Sequence, residues 1–179
     1  MGCKPVACGD RREPRAMRDA AAAPTLSLEL INPFFLRTGA DPRVGADYER
    51  VSLNVDNLVA KCRPVLEQYE TVFVEGCGGW ETPLCSGVTM ADFAEQLGLP
   101  VLLVVSNRQG AVSQALLTVR AIQARGLTCQ GIILNQQGEE WDSAAVTNCA
   151  MIEEYTGVPV LAELIHGEDC LDASSIIGC

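Results

Sequence analysis

Residues 99–106 read LPVLLVVS and residues 131–135 read GIILN, two apolar runs of strand length. Their hydrophobicity is continuous rather than alternating. That pattern marks strands covered on both faces, as in a parallel sheet with helices above and below it. Working outward, Thr71–Glu75 is a short β-rich run that ends in a glycine-rich turn, and Val158–Leu161 is a weaker fourth strand. Lys4–Ala7 reads as the end of a further strand. Helical spacing fills the intervals. Val55, Leu58, Val59, Cys62, Leu66 and Tyr69 form one stripe, with Pro64 as an expected kink. Met90, Phe93, Ala94 and Leu97 mark a short helix closed by Gly98. Val112, Leu116, Val119 and Ile122 mark a third, closed by Gly126. Trp141, Ala145, Cys149, Ile152 and Tyr155 mark a fourth, closed by Gly157. The order over 71–161 is therefore β-α-β-α-β-α-β. With right-handed crossovers this predicts a three-layer, doubly wound, mostly parallel α/β sheet.

The length, 179 residues, fits one domain, and 48% apolar with 20% charged residues is a globular balance. Aromatics make up only 5%, so Ala, Val, Leu and Ile must build the core. The net charge of −10 argues against a nucleic-acid partner, because phosphate contacts need Lys and Arg; a local pocket for a small anion stays open. The nine cysteines are odd in number and include no CxxC pair. They read as small apolar residues rather than a disulfide frame or zinc site. The N-terminus has no apolar signal region, Val6 stands where a myristoylation signal has Ser or Thr, and Leu99–Val105 is too short to cross a bilayer. A cytoplasmic protein without a membrane partner is the expectation. Residues 9–50, with Arg11, Arg12, Arg15 and Arg18, read as a loop and short helix at the mouth of a site.

In such a sheet, ligands sit at the carboxyl ends of the strands. Three features lie there. Glu75 closes a strand beside a glycine run, where a carboxylate can hold Mg²⁺ and backbone amides can approach phosphate; a tight turn with a solvated Glu is the plainer alternative. Lys4 can neutralise phosphate charge in a transition state, or simply be solvated. Asp19 is either a second metal carboxylate or a helix N-cap.

Taken in order, KPVACG (4–9), Asp19, VEGCGGWETPL (74–84), LPVLLVV (99–105), GIILN (131–135) and PVLAEL (159–164) resemble the dethiobiotin synthetase family over nearly the whole chain. EGxGGxxxPL is the most specific piece. The resemblance implies a homodimeric P-loop NTPase-type fold with a seven-stranded, mostly parallel sheet. It implies ureido ring closure of 7,8-diaminopelargonate with CO₂, ATP and Mg²⁺. It further implies that Lys4 is catalytic and that Cys8 contacts substrate where the family commonly has Ser. Asp19 and Glu75 would be Mg²⁺ ligands lying close together. Gly76, Cys77 and Gly78 would line the triphosphate. Asn135 and Gln136 would read the adenine edge, with Ile165, His166 and Gly167 at the base; the family usually has Pro at the first of these. Gly110, Ala111 and Val112 would open a helix whose amides bind the substrate carboxylate near the dimer interface.

One departure stands out. The family opens with a strand, a G-x-x-x-x-G-K-[ST] loop and a helix, and no stretch of the 179 residues carries that motif. The expectation is a single α/β domain over 1–179, N-terminally truncated, with the first strand, P-loop and first helix absent and the central sheet position vacant. Residues 168–179 form an unassigned tail. A non-catalytic relative that binds a nucleotide or partner is the alternative to the enzyme. Readings as a cobyrinate-type ligase or as a domain fused to a phosphotransacetylase would both need further domains. His166 reads as a surface histidine, without nearby ligands for a metal.

Overall fold

The computed structural model describes residues 1–139, 143–168, 170 and 176. Trp141, Cys179 and most of the 168–179 tail lie outside the described residues. The chain divides into two compact units, Met1–Leu97 and Gly98–Cys179.

The first unit begins with β1 (Gly2–Cys3) and β2 (Val6–Cys8), separated only by Lys4 and Pro5. Three helices and a strand follow where the sequence suggested a loop and one short helix: α1 (Arg12–Ala20), α2 (Leu28–Ile31), β3 (Phe34–Leu36) and α3 (Pro42–Glu49). Helix α1 carries Arg12, Arg15 and Arg18 of the arginine cluster, where a short helix was expected, and it buries only Pro14. Pro14 sits in its first turn, where the missing N–H costs no helical hydrogen bond. Ser27 caps α2 by accepting from the Glu29 amide at 3.2 Å.

Helix α4 (Val55–Gln68) starts at Asn54, whose side chain accepts from the Asn57 amide at 2.8 Å. It runs on through Pro64 as one helix. Pro64 is on the exposed face, so the carbonyl it leaves unpaired can turn to water. The expected 71–75 strand contracts to β4 (Phe73–Val74). The unit closes with β5 (Pro83–Cys85), β6 (Val88–Thr89) and α5 (Met90–Leu97). Strands β5 and β6 form an antiparallel hairpin around Ser86-Gly87, with Gly87 at φ +71. The sequence reading passed over that hairpin, though Ser-Gly is a turn signal.

Pairing elsewhere in this unit is parallel: β1 with β4, and β2 with β3. The core gathers Cys3, Val6, Leu36, Leu58, Cys62, Val65, Leu84 and Phe93. Cys3 and Cys62 are fully buried in it, in the role expected for small apolar residues.

The second unit is a regular β-α-β-α-β run: β7 (Val101–Ser106), α6 (Ala111–Ala124), β8 (Cys129–Asn135), α7 (Ala145–Thr156) and β9 (Val160–Leu164). The three strands pair in parallel in the order β7-β8-β9. The α/β class and parallel pairing thus agree with the sequence pattern. Central strand β8 is covered on both faces, with Ile132 and Leu134 fully buried on one and Ile133 buried on the other. Strand β7 departs from the expectation: Val104 is 57% exposed. Among the described residues β7 pairs only with β8 in its sheet and stands at its edge despite its apolar sequence.

Gly131 in β8 has a packing reason. A Cβ built there would run into Cδ1 and Cγ of Leu161 on β9. Gly131→Val is therefore expected to destabilise the protein by about 1–3 kcal/mol through overpacking. A lowered thermal midpoint checks this; an unchanged one would mean that Leu161 moves freely aside.

Candidate functional site

Lys4 occupies the two-residue break between β1 and β2, and its neighbours hold it there. Its amide donates to the Ile31 carbonyl at 2.8 Å. Its carbonyl accepts from Asn32 Nδ2 at 2.8 Å, and the same Nδ2 reaches the Phe34 carbonyl at 3.0 Å. Asn32 is fully buried, and Arg11 Nε donates to its Oδ1 at 3.1 Å while the Arg11 guanidinium stacks 4.8 Å from the Phe35 ring centroid. Asn32 and Arg11 are site residues that the sequence reading missed. An Asn between two short apolar runs looks like a turn residue, and only the parallel β2–β3 pairing gives it this role.

The Lys4 side chain is buried and still charged. Nζ donates to Glu75 Oε1 at 2.8 Å and to the Gly76 carbonyl at 2.7 Å, and it pairs with Glu13 Oε2 at 2.8 Å. An ammonium has three protons, so these partners saturate it. Burial is the largest single influence on Lys4 and pulls its pKa down. The hydrogen bonds and charges of Glu13 and Glu75 together outweigh it, and the pKa stands above the ordinary 10.5.

The sign follows directly. A folded pKa above the unfolded one gives stabilisation that is complete below 10.5 and fades as pH rises through the folded value. Glu13→Gln removes one of the two charges. It is expected to lower the pKa of Lys4 and to move the alkaline limb of the stability profile to lower pH, as read by thermal midpoints across an alkaline series. An unmoved limb would mean that Glu75 alone holds the charge.

Glu75 is positioned by its own amide, which donates to the Cys3 carbonyl at 2.8 Å as an extension of the β1–β4 pairing. Its side chain is 48% exposed, and Lys4 takes only Oε1. Beyond it the glycine run turns sharply. Gly78 has φ +74, and a Cβ there would meet Thr82 Oγ1 at 2.5 Å; Thr82 Oγ1 in turn accepts from the Gly79 amide at 2.7 Å. Cys77 Sγ lies 4.0 Å from Cys8 Sγ at the end of β2. Burial, then the neighbouring Cys77, push the Cys8 thiol up to about 12, and burial raises Cys77 as well. The structure thus brings Lys4, Cys8, Glu75, Gly76, Cys77 and Gly78 into one cluster.

Asp19 is placed differently. Its carboxylate pairs with Arg18 Nε at 3.5 Å and is 68% exposed. The carboxylate of α1 that reaches Lys4 is Glu13. The two are six residues apart, which on a helix turns the side chain by about 240° and moves it ~9 Å along the axis. Among the described residues no group of three or more His, Cys, Asp or Glu side chains is arranged to hold a metal ion. Mg²⁺ does not require one, since it usually keeps several waters and takes one or two carboxylates together with substrate phosphates. Glu75, half exposed and with one oxygen free of Lys4, fits that role.

In the second unit the expected base-binding residues share the ends of β8 and β9. Asn135 is in register with Ser106 and Leu164. Its carbonyl accepts from the Asn107 amide at 2.8 Å, and the Gln136 amide donates to the Leu164 carbonyl at 2.8 Å. Ile165, His166 and Gly167 form an exposed turn in which the Ile165 amide donates to Glu168 Oε2 at 3.1 Å and Gly167 has φ +90. Gly110, at φ +89, opens α6. The Ala111 amide is already used, donating to the Arg108 carbonyl at 3.0 Å, and Ala111 is fully buried. The turn before α6 is tied to α7 by Asn148, whose Nδ2 donates to Asn107 Oδ1 at 2.8 Å and to the Arg108 carbonyl at 3.1 Å. Asn107 and Asn148 are both buried, and the sequence reading missed both.

A family model described as an AAA domain matches residues 3–173. The chain is 44% identical, over 98% of its length, to the ATP-dependent dethiobiotin synthetase BioD of Akkermansia muciniphila, of which it covers 82%. It is 40% identical over 75% of its length to the protein of the same name from Cellvibrio japonicus, of which it covers 62%. On these matches the chain belongs to the AAA-domain family of ATP-dependent dethiobiotin synthetases.

Proposed function

We propose that the protein is a ligase of biotin synthesis that makes dethiobiotin from 7,8-diaminopelargonate, CO₂ and ATP. The observation that carries this is Lys4: a buried ammonium at a strand end, held against Glu75 and the first glycine of the EGCGG run. Identity of 44% over 98% of the chain supports the enzyme over a non-catalytic relative.

In this reading one amine of the substrate captures CO₂ as a carbamate. The carbamate oxygen attacks the γ-phosphate of ATP, and the second amine displaces phosphate from the mixed anhydride to close the ring. Negative charge builds on the carbamate and on the transferring phosphoryl group, and Lys4 is there to balance it. All three of its protons are engaged, so an incoming oxygen must replace one partner. Glu13, with its side chain 60% exposed, is the partner that water can most easily take over. Gly76, Cys77 and Gly78 bring backbone close to the triphosphate, and Cys8 offers the substrate a thiol, a weaker partner than the family's usual hydroxyl. Mg²⁺, which Glu75 would hold together with substrate phosphates and water, would shield the phosphate charge; Asp19, on another face of α1 from Glu13, would join it only if α1 turns.

In the second unit Asn135 and Gln136 read the adenine edge beside Ile165, His166 and Gly167. Gly110, Ala111 and Val112 hold the substrate carboxylate, chiefly through amides other than the one Ala111 spends on Arg108. The working form is a cytoplasmic homodimer with α6 near its interface. No helix among the described residues is long and apolar enough to cross a membrane. The test is the fate of labelled bicarbonate. In the chain joined behind a strand, G-x-x-x-x-G-K-[ST] loop and helix, its carbon must appear in the ureido carbonyl of dethiobiotin in an ATP-dependent manner; label confined to bicarbonate would refute the reaction.

A further inference from the structure

Four cysteines of the first unit form two thiol pairs at nearly the same separation. Cys3 Sγ lies 3.9 Å from Cys62 Sγ, and Cys77 Sγ lies 4.0 Å from Cys8 Sγ. All four are free thiols. The pairs differ in access. Cys3 and Cys62 are 0% exposed and sealed in the core, whereas Cys8 and Cys77 are half-buried where β2 ends and the glycine run begins.

We propose that Cys8 and Cys77 are a redox-active dithiol which a low-molecular-weight disulfide converts to an intramolecular disulfide, locking the glycine loop beside Lys4. The crosslink stands on the thiol geometry alone; its consequence for catalysis rests on the proposed function of that loop.

The chemistry balances in two exchanges. Burial raises both thiols, Cys8 to about 12, so the attacking thiolate is a minor species at mildly alkaline pH and the exchange is slow. The thiolate of one cysteine attacks a sulfur of the small disulfide. That S–S bond breaks, a mixed disulfide forms and one small thiol leaves. The second cysteine then attacks the protein-bound sulfur of the mixed disulfide and releases the second small thiol. Two protein thiols are oxidised and one small disulfide is reduced to two thiols, which carry away the two protons. The sulfur separation must fall from 4.0 Å to about 2.05 Å. Cys77 stands between Gly76 and Gly78, whose backbone can take up conformations closed to other residues. The resulting bond ties residues 69 apart in sequence, joining the end of β2 to the glycine run whose Gly76 carbonyl accepts from Lys4.

The experiment treats the purified protein with excess oxidised glutathione at mildly alkaline pH, alkylates the remaining thiols and maps the peptides by mass spectrometry. The expected result is a peptide pair joining Cys8 to Cys77, lighter by two hydrogens than the dithiol, with Cys3 and Cys62 left reduced and the link reversed by dithiothreitol. Hydrogen exchange over residues 75–82 should slow on oxidation. Cys77→Ser should give a mixed disulfide on Cys8 and no link. Free Cys8 and Cys77, a Cys3–Cys62 link, or a stable glutathione adduct in the unaltered protein would overturn the dithiol. Unchanged exchange over 75–82 would overturn the lock. Neither readout depends on turnover. A reduced protein, joined behind the strand, phosphate loop and helix, that makes no dethiobiotin but still forms the link would refute the proposed reaction and leave the dithiol standing.

Discussion

A polypeptide of these 179 residues alone is expected to bind Mg-ATP weakly and to form little dethiobiotin, and joining it behind a strand, G-x-x-x-x-G-K-[ST] loop and helix is expected to raise both. Phosphoryl transfer depends on positioning and charge stabilisation, much of it supplied in this fold class by the amides, Lys and Mg²⁺-binding hydroxyl of that loop. No stretch of the 179 residues reads as such a loop. The glycine run after Glu75 is a tight turn, with the Gly79 amide already committed to Thr82. Each charge-assisted hydrogen bond to phosphate contributes about 1.5–3 kcal/mol, so two or three of them together change ATP affinity by several orders of magnitude. Nucleotide titration of the two proteins decides the matter. Equal, tight binding would show that the triphosphate is held elsewhere.

In the joined protein, Lys4→Ala is expected to lower kcat by on the order of 10²–10³, the usual cost of removing one preorganised donor to developing charge. The fold should survive. The carboxylates that Lys4 leaves behind, Glu13 and Glu75, are 60% and 48% exposed and can be hydrated. Lys4→Arg should recover only part of the rate, because a planar guanidinium does not place three protons on Glu13, Glu75 and the Gly76 carbonyl as an ammonium does. Kinetics read beside circular dichroism separate this from unfolding. A Lys4→Ala protein with undiminished kcat would remove Lys4 from the mechanism.

The parts of this fold that showed in the sequence are those in which one physical cause dominates. Strand β8 is central, so GIIL is apolar throughout; α6 and α7 show helical spacing because one stripe of each is buried. Strand β7 carries the same signal as β8 but is an edge, since a run of Val and Leu records composition and not which strand pairs alongside. The stretch from α2 to α3 stayed hidden because its buried residues, Ile31, Leu36 and Ala46, fall in elements too short to show a period, and polar ties such as Arg11 to Asn32 and Asn32 to the Lys4 carbonyl leave none. Lys4 and Glu75 were legible as charged residues at strand ends beside a glycine run, each with a plainer structural alternative, whereas Cys8 was legible only through the resemblance to the family. Glu13, Asn107 and Asn148 act through partners distant in sequence, and only coordinates bring those partners together.

The most direct measurement of the central claim is the ratio of dethiobiotin formed to phosphate released when the joined protein is given 7,8-diaminopelargonate, bicarbonate and Mg-ATP. The account predicts equal amounts of the two products, no phosphate release without diaminopelargonate, and loss of both products in Lys4→Ala. Phosphate released at the same rate without diaminopelargonate, or with no dethiobiotin formed, would contradict it.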